Sequence, residues 1–314
     1  VFALDTLLLT SALALTQVES APCPAFPADP AELIPTGASA VLGVDVDALA
    51  QTSTGKALLP ALRADLQLAE LLEILDDCEI SLERTYALTL ARDPGDGRLA
   101  IVQARGLGTD ATLRCLARQL RARNEGLDPW RAEPGTCSTR LAVADGSRAW
   151  IINDYTIVWA RGAFVAPTGA RLEGLEPLAL PATLADEFDR LDRSGHLWLA
   201  ALLDDADRRA LPGAWASNTQ SLTAAVDLSE GLRAVVSLSA PDVATTATIR
   251  ELVLATFAEL ADRLDSYGVE HQLRERARVG IVAGVVAAEI FIDERELRSI
   301  RAKIGQRIQG RGLL

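Results

Sequence analysis

The chain has no methionine, only two histidines, four cysteines, and a Phe, Trp and Tyr content of 4%. Each scarcity excludes something. His196 and His271 are too few for a three-histidine metal site, and neither stands in an HExxH pattern. They are expected at the surface or hydrogen-bonded. The GxSxG turn of serine hydrolases does not occur. No two cysteines are spaced CxxC, which argues against zinc-ribbon or thioredoxin-type chemistry. Lysine is confined to Lys56 and Lys303, so arginine supplies nearly all of the 31 basic residues. Those arginines are scattered, and the net charge is −12. With no basic stripe interleaved with aromatics, nucleic acid is not an expected partner. Few aromatics also means that Ala, Leu and Val must build the core, from a hydrophobic fraction of 49%.

The 314 residues suffice for one large domain or two smaller ones. Long apolar runs are missing. Residues 6–16 form a short one, well below the roughly 20 residues needed to span a bilayer. Val18 and Ser20 then occupy the −3 and −1 positions of a cleavage site. Residues 1–20 therefore read as a secretory signal, although Asp5 stands where Lys or Arg is usual. The expected location is extracytoplasmic, periplasmic or secreted. Cys23 follows Ser20-Ala21-Pro22, which departs from an acylation triplet. In an oxidising compartment the cysteines pair. Of the three possible pairings, the expected one is Cys115–Cys137, with Cys23–Cys78 following by elimination. Residues 21–35, with Pro22, Pro24, Pro27 and Pro30, read as an extended linker.

Self-similarity is the clearest signal. Thr109 to Arg114 reappears as Thr245 to Arg250, with four of six residues identical. Each copy opens an amphipathic helix, and its threonines are placed to cap it. In the second copy Ile249, Leu252, Val253, Phe257, Leu260 and Leu264 share one face. A hairpin precedes each helix, at 86–104 and 222–238. A second hairpin follows, with Arg140 to Gly146 matching Arg278 to Gly284 in spacing. Ahead of each unit an apolar strand ends in acids, at Asp45 and Asp47, and at Asp204 and Asp205. The predicted fold is α+β: two degenerate repeats of strand–helix then hairpin–helix–hairpin, with antiparallel sheets and helices packed on one face. Repeat 1 covers 36–161, a connector 162–193 and repeat 2 194–314.

Several residues invite chemistry. Asp45 and Asp47 after an apolar strand resemble the metal-binding loop of haloacid-dehalogenase-type phosphatases. Ala48 and Leu49 fit that motif poorly and the lysine is wanting, so helix capping is the expected role. Ser53-Thr54-Gly55-Lys56 ends like a phosphate loop but has Ala50 where the first glycine belongs. Glu289, within an apolar strand, is expected to turn outward. Trp130, Trp150 and Trp159 are expected in core or inter-strand packing, with a ligand platform as the alternative. Arg295, Arg298, Arg301, Lys303, Arg307 and Arg311 make the last helix basic, and a weak contact with an anionic membrane surface is weighed for it.

The entry strand, Ile34-Pro35 through Ala38, Ala40, Val41, Leu42, Gly43 and Val44, resembles that of exported proteins of unknown function from large, GC-rich bacterial genomes. The resemblance implies location outside the cytoplasm and no activity. The reading is a non-catalytic exported binding or interaction protein of the bacterial envelope, with no cofactor. Its partner is another protein or an apolar ligand held in a groove between the halves. A metal-assisted hydrolase using Asp45 and Asp47, and a self-associating structural component, are the alternatives.

Overall fold

The computed structural model describes residues 25–57, 69–80, 84–123, 139–142, 146–269 and 271–310. The first half contains β1 (Ala40–Asp45), α1 (Val46–Gln51), α2 (Ala69–Asp77), β2 (Thr85–Arg92), β3 (Arg98–Ala104) and α3 (Asp110–Arg123). It closes with β4 (Thr139–Ala142), β5 (Arg148–Asn153) and β6 (Thr156–Arg161). A connector carries α4 (Val165–Leu172) and α5 (Ala185–Arg190). The second half contains β7 (Leu197–Leu202), α6 (Asp205–Ala210), β8 (Ser221–Asp227), β9 (Gly231–Ser239), α7 (Val243–Ser266) and α8 (Leu273–Arg276). It ends with β10 (Arg278–Val282), β11 (Val285–Asp293) and α9 (Glu294–Gly310).

All the described strands join one antiparallel sheet in the order β10-β11-β9-β8-β7-β1-β2-β3-β6-β5-β4. The halves meet where β1 pairs with β7. Strand alternation divides the apolar residues between two faces. On the front, Val44, Leu88, Ala100, Val102, Ile151 and Ile157 pack under Leu49, Ile74, Leu75 and Leu116 of α1 to α3. Also on the front, Ala201, Leu222, Leu238, Val286 and Ala288 pack under Ile249 and Val253 of α7. On the back, Val41, Leu99, Ile101, Trp150 and Val158 are covered by Phe164, Leu172, Leu184 and Phe188 of the connector. Helices thus lie on both faces of the first half, because the connector folds back instead of bridging two bodies.

Residues 25–35 also differ from a free linker. Ala31, Leu33 and Ile34 are fully buried against that same back surface. Arg171 holds them there. Its buried guanidinium donates from Nη1 to the carbonyls of Glu32, Ile34 and Ala179 at 2.8, 2.6 and 2.9 Å. The Glu32 carbonyl, in the 3-10 turn Pro30–Leu33, also accepts the Ala179 N–H at 3.2 Å, and the arginine supplies the donor to carbonyls that lie outside the sheet.

The strand order reads alike outward from the centre: β1-β2-β3 then the β5–β6 hairpin, and β7-β8-β9 then the β10–β11 hairpin. This differs from the sequence alignment of the second hairpins. The segment from Arg140 forms β4, the outermost strand, and β5–β6 holds the place that β10–β11 holds opposite. The matched spacing ended on Gly146 and Gly284, whose φ values are +83° and +82°. It registered a turn requirement, which many hairpins share, and not a strand position.

The expected cysteine pairing also gives way. Cys78, just past α2, is bonded to Cys115 in α3, with Cα atoms 5.6 Å apart. That bond excludes both Cys115–Cys137 and Cys23–Cys78. Spacing along the chain suggested a helix-to-strand staple, but the two cysteines brought together lie on helices packed side by side on the sheet. Cys23 and Cys137 lie outside the described residues.

Candidate ligand-binding groove

The acids that end the entry strands are helix caps. Asp45 accepts from the Ala48 N–H at 2.9 Å, and Asp204 accepts from the N–H groups of Ala206 and Asp207, both at 2.8 Å. The side chain of Asp47 accepts from Gln51 Nε2 at 3.4 Å. Among the described residues no three His, Cys, Asp or Glu side chains converge as metal ligands. Thr109 caps α3 through the Thr112 N–H at 3.4 Å. The cap of α7 lies earlier than its threonines, at Asp242, which accepts from the Thr245 N–H at 2.8 Å. Capping lowers the pKa of Asp242, chiefly through that N–H, and of Asp204 through the Asp207 N–H.

The other candidates also have local roles. Thr52 accepts from the Gly55 N–H at 2.9 Å, so 52–56 is a capped helix start. His196 Nδ1 accepts from the Leu228 N–H at 3.1 Å, and His271 Nδ1 accepts from the Leu273 N–H at 3.2 Å. Glu289 turns to the back face, where it accepts from Arg233 Nε at 2.9 Å. Trp150 is buried in the core. Trp130 and Arg311 lie outside the described residues. Trp159 is only half-buried, and it leads to the one apolar depression that matters.

The register of the central strands aligns three rows on the front face. The deepest runs Leu197, Val44, Leu88, Val102, Ile157, and four of these five are buried beneath α1 to α3. The next row is Leu199, Leu42, Leu90, Ala100, Trp159. Here Leu199, Leu42, Leu90 and Trp159 are half-buried although their strands are at the middle of the sheet. The third row is Ala201, Ala40, Arg92, Arg98, Arg161. Between the second and third rows lies an open groove of about 620 Å³, floored by Leu42, Leu90, Leu199 and Trp159. The five strands under it span about 19 Å at the usual inter-strand spacing.

Arg92, Arg98 and Arg161 face one another rung to rung across β2, β3 and β6. Like charges directly opposite in an antiparallel pair are destabilising. Arg92 is paired through Nη2 with Asp207, and Arg98 donates from Nη1 to the carbonyls of Gly95 and Gly97. Asp96 is the one carboxylate among the lining residues. The back face carries a second groove, of about 560 Å³, at the opposite end of the same strands. Asp29, Asp45, Asp47, Thr89 and Arg193 make it polar. The place of Trp159 answers to the ligand-platform alternative and not to core packing, and the arginine row has no local signal in the sequence. The register that aligns Arg92, Arg98 and Arg161 depends on pairing β3 with β6, across an intervening helix and two strands.

No family model matches the chain, and no curated protein does so. A solved structure, crystal form III of the protein TP0453, is similar to it: 12% identity and a TM-score of 0.53 over 88% of this chain and 98% of that one. At that identity the likeness concerns the fold. Among the described residues no helix is long and apolar enough to cross a membrane.

Proposed function

We propose that this is an exported, non-catalytic binding protein that holds an apolar chain in the front-face groove. One observation carries the reading. A row of large apolar side chains, Leu42, Leu90, Leu199 and Trp159, stands half-open at the centre of an eleven-stranded sheet. Ligand sites are concave and mainly apolar, with a few polar groups placed at the edge, and volumes of about 300–1,000 Å³ are usual. The groove fits that description. The polar candidates found in the sequence are occupied by caps, turns and ion pairs, which supports binding over catalysis. The disulfide between Cys78 and Cys115 supports an oxidising, extracytoplasmic compartment. The matching strand order of the two halves supports their origin by duplication, with the groove beside the seam.

The test is saturable binding of a neutral apolar fluorophore, N-phenyl-1-naphthylamine, to the purified protein. Leu90→Asn should weaken it at least tenfold while far-UV circular dichroism and the urea midpoint stay close to wild type. Absence of saturable binding, or equal affinity in the variant, would overturn the reading.

A further inference from the structure

We infer that the groove selects an amphiphile with an anionic head, whose acyl chain lies on the Leu42, Leu90, Trp159 row and whose head meets Arg92, Arg98 and Arg161. This rests on the binding role proposed above and names its ligand class.

The chain carries −12 overall, yet three of the four ionisable side chains lining the groove are arginine. Their placement is not what folding alone favours. Arg92 is the direct cross-strand partner of Arg98, and Arg98 that of Arg161. Cβ atoms so paired stand about 4.5–5.5 Å apart, and like charges there repel. Alternation puts all three on the front, beside the apolar floor. The strand step from the floor row to the arginine row is two residues, about 7 Å. A chain resting on the floor therefore has its polar end within reach of the guanidinium groups.

The second consideration is donor capacity. A guanidinium offers five N–H donors in a planar fork suited to carboxylate or phosphate oxygens. The Asp207 contact engages Nη2 of Arg92, and the turn carbonyls engage Nη1 of Arg98. Those contacts use one nitrogen of the Arg92 fork and one of the Arg98 fork. Asp93 forms an ion pair with Arg98 Nη1 at 3.9 Å and is itself held by the N–H groups of Gly95 and Gly97, both at 2.8 Å. An alcohol head would draw on these donors weakly. An ionised head receives charge-assisted bonds of about twice the strength. A carboxylate and a phosphate monoester present the same chemistry to such a row.

The experiment compares dodecanoate, dodecyl phosphate and dodecan-1-ol as displacers of the bound fluorophore at pH 8 and physiological salt. Wild-type protein should bind at least one of the two anions tenfold or more tightly than the alcohol. Whichever anion gains more identifies the head as carboxylate or phosphate. In Arg98→Gln/Arg161→Gln the anion-to-alcohol ratio should fall towards one while dodecan-1-ol affinity is kept. Arg161→Lys, which keeps the charge and loses the fork, should fall between. Equal affinities for the three ligands in the wild type would overturn the anionic head and leave the apolar groove standing. So would a ratio unchanged in the double variant. Failure of all three ligands and of the fluorophore would instead remove the binding role itself.

Discussion

Gly43 offers a prediction whose sign, as well as size, is decided by the structure. A glycine inside a strand usually weakens it, and replacement by alanine at a compatible site gains about 0.4–1 kcal/mol by restricting the unfolded chain. Here the opposite is expected. Gly43 in β1 is the cross-strand partner of Trp198 in β7, and the indole lies flat across it. A Cβ at Gly43 would fall far inside van der Waals contact distance of the ring atoms Cε2, Cζ2 and Nε1. The ring has little freedom to leave. It packs edge-to-face on Phe188 at 5.8 Å, and Arg193 lies over both rings. Forcing it aside adds an overpacking cost of about 1–3 kcal/mol. Losing the aromatic pair adds about 0.5–1.5 kcal/mol. Against the backbone gain, Gly43→Ala should destabilise by about 1–3 kcal/mol, read as a lower urea midpoint with unchanged slope. The control is the same change made in Trp198→Ala, where the obstacle is gone. There Gly43→Ala should become neutral or stabilising, a coupling of at least about 1 kcal/mol in the double-mutant cycle. If Gly43→Ala matches wild type, or if the two changes are additive, the seam between the halves is not packed as described.

Replacing Cys78 and Cys115 together by alanine should lower stability by about 4 kcal/mol, the chain-entropy value for a loop of sequence separation 37, with a larger urea slope; a loss below about 1 kcal/mol would refute the cross-link. Arg171→Met should cost about 3 kcal/mol, since the carbonyls of Ile34 and Ala179 lose their donor and that of Glu32 keeps the Ala179 N–H alone; Arg171→Lys, which restores a single cationic nitrogen, should cost clearly less in the same urea titration. The carboxylates of Asp204, Asp242 and Asp293 are held below the usual range, each chiefly by a backbone N–H. Their depressed folded values mean that the stability they add is present above the unfolded value near 3.9 and is lost as pH falls from there through the folded values. Asp242→Asn keeps a capping oxygen and removes one titrating group, so its urea midpoint should fall less steeply below about pH 4 than that of wild type; parallel curves would refute the assignment.

Local chemistry was legible in the sequence, and register was not. Turn residues around Pro94-Gly95 and Ser229-Glu230 placed β2–β3 and β8–β9, and the acids after β1 and β7 announced caps. Such features depend on neighbours within a few residues. Trp159 and Glu289 look alike in isolation, since each interrupts an expected pattern; only the strand pairing assigns one to the groove and the other to an ion pair with Arg233. The cysteines failed for the same reason. Their pairing is set by the packing of α2 against α3, which no spacing along the chain encodes. The buried role of residues 25–35 was hidden because prolines suggest an exposed linker, while Leu33 and Ile34 carry the contacts.

The sheet contains its own comparison for the groove. The back of the second half is also left open, and there the chain uses small, polar or valine side chains beside a single phenylalanine. Ser237, Ala287 and Gly280 share one row, Glu289 pairs with Arg233, and Val235, Val282 and Val285 are the aliphatic residues. Phe291 carries the Arg276 guanidinium over its ring at 5.7 Å. Folding therefore tolerates an uncovered section of this sheet without leucine or tryptophan. Across the front groove the equivalent positions are Leu42, Leu90, Leu199 and Trp159, which keep apolar surface in water that serine or threonine would not. Leu42→Thr with Leu90→Thr introduces β-branched strand formers and removes the apolar floor. If the leucines serve a ligand, this variant should fold with nearly wild-type stability and lose fluorophore binding. If they serve the core, it should lose several kcal/mol, at about 1.5–3 kcal/mol for each fully buried side chain. The two outcomes separate a site from an incompletely covered core in a single urea titration.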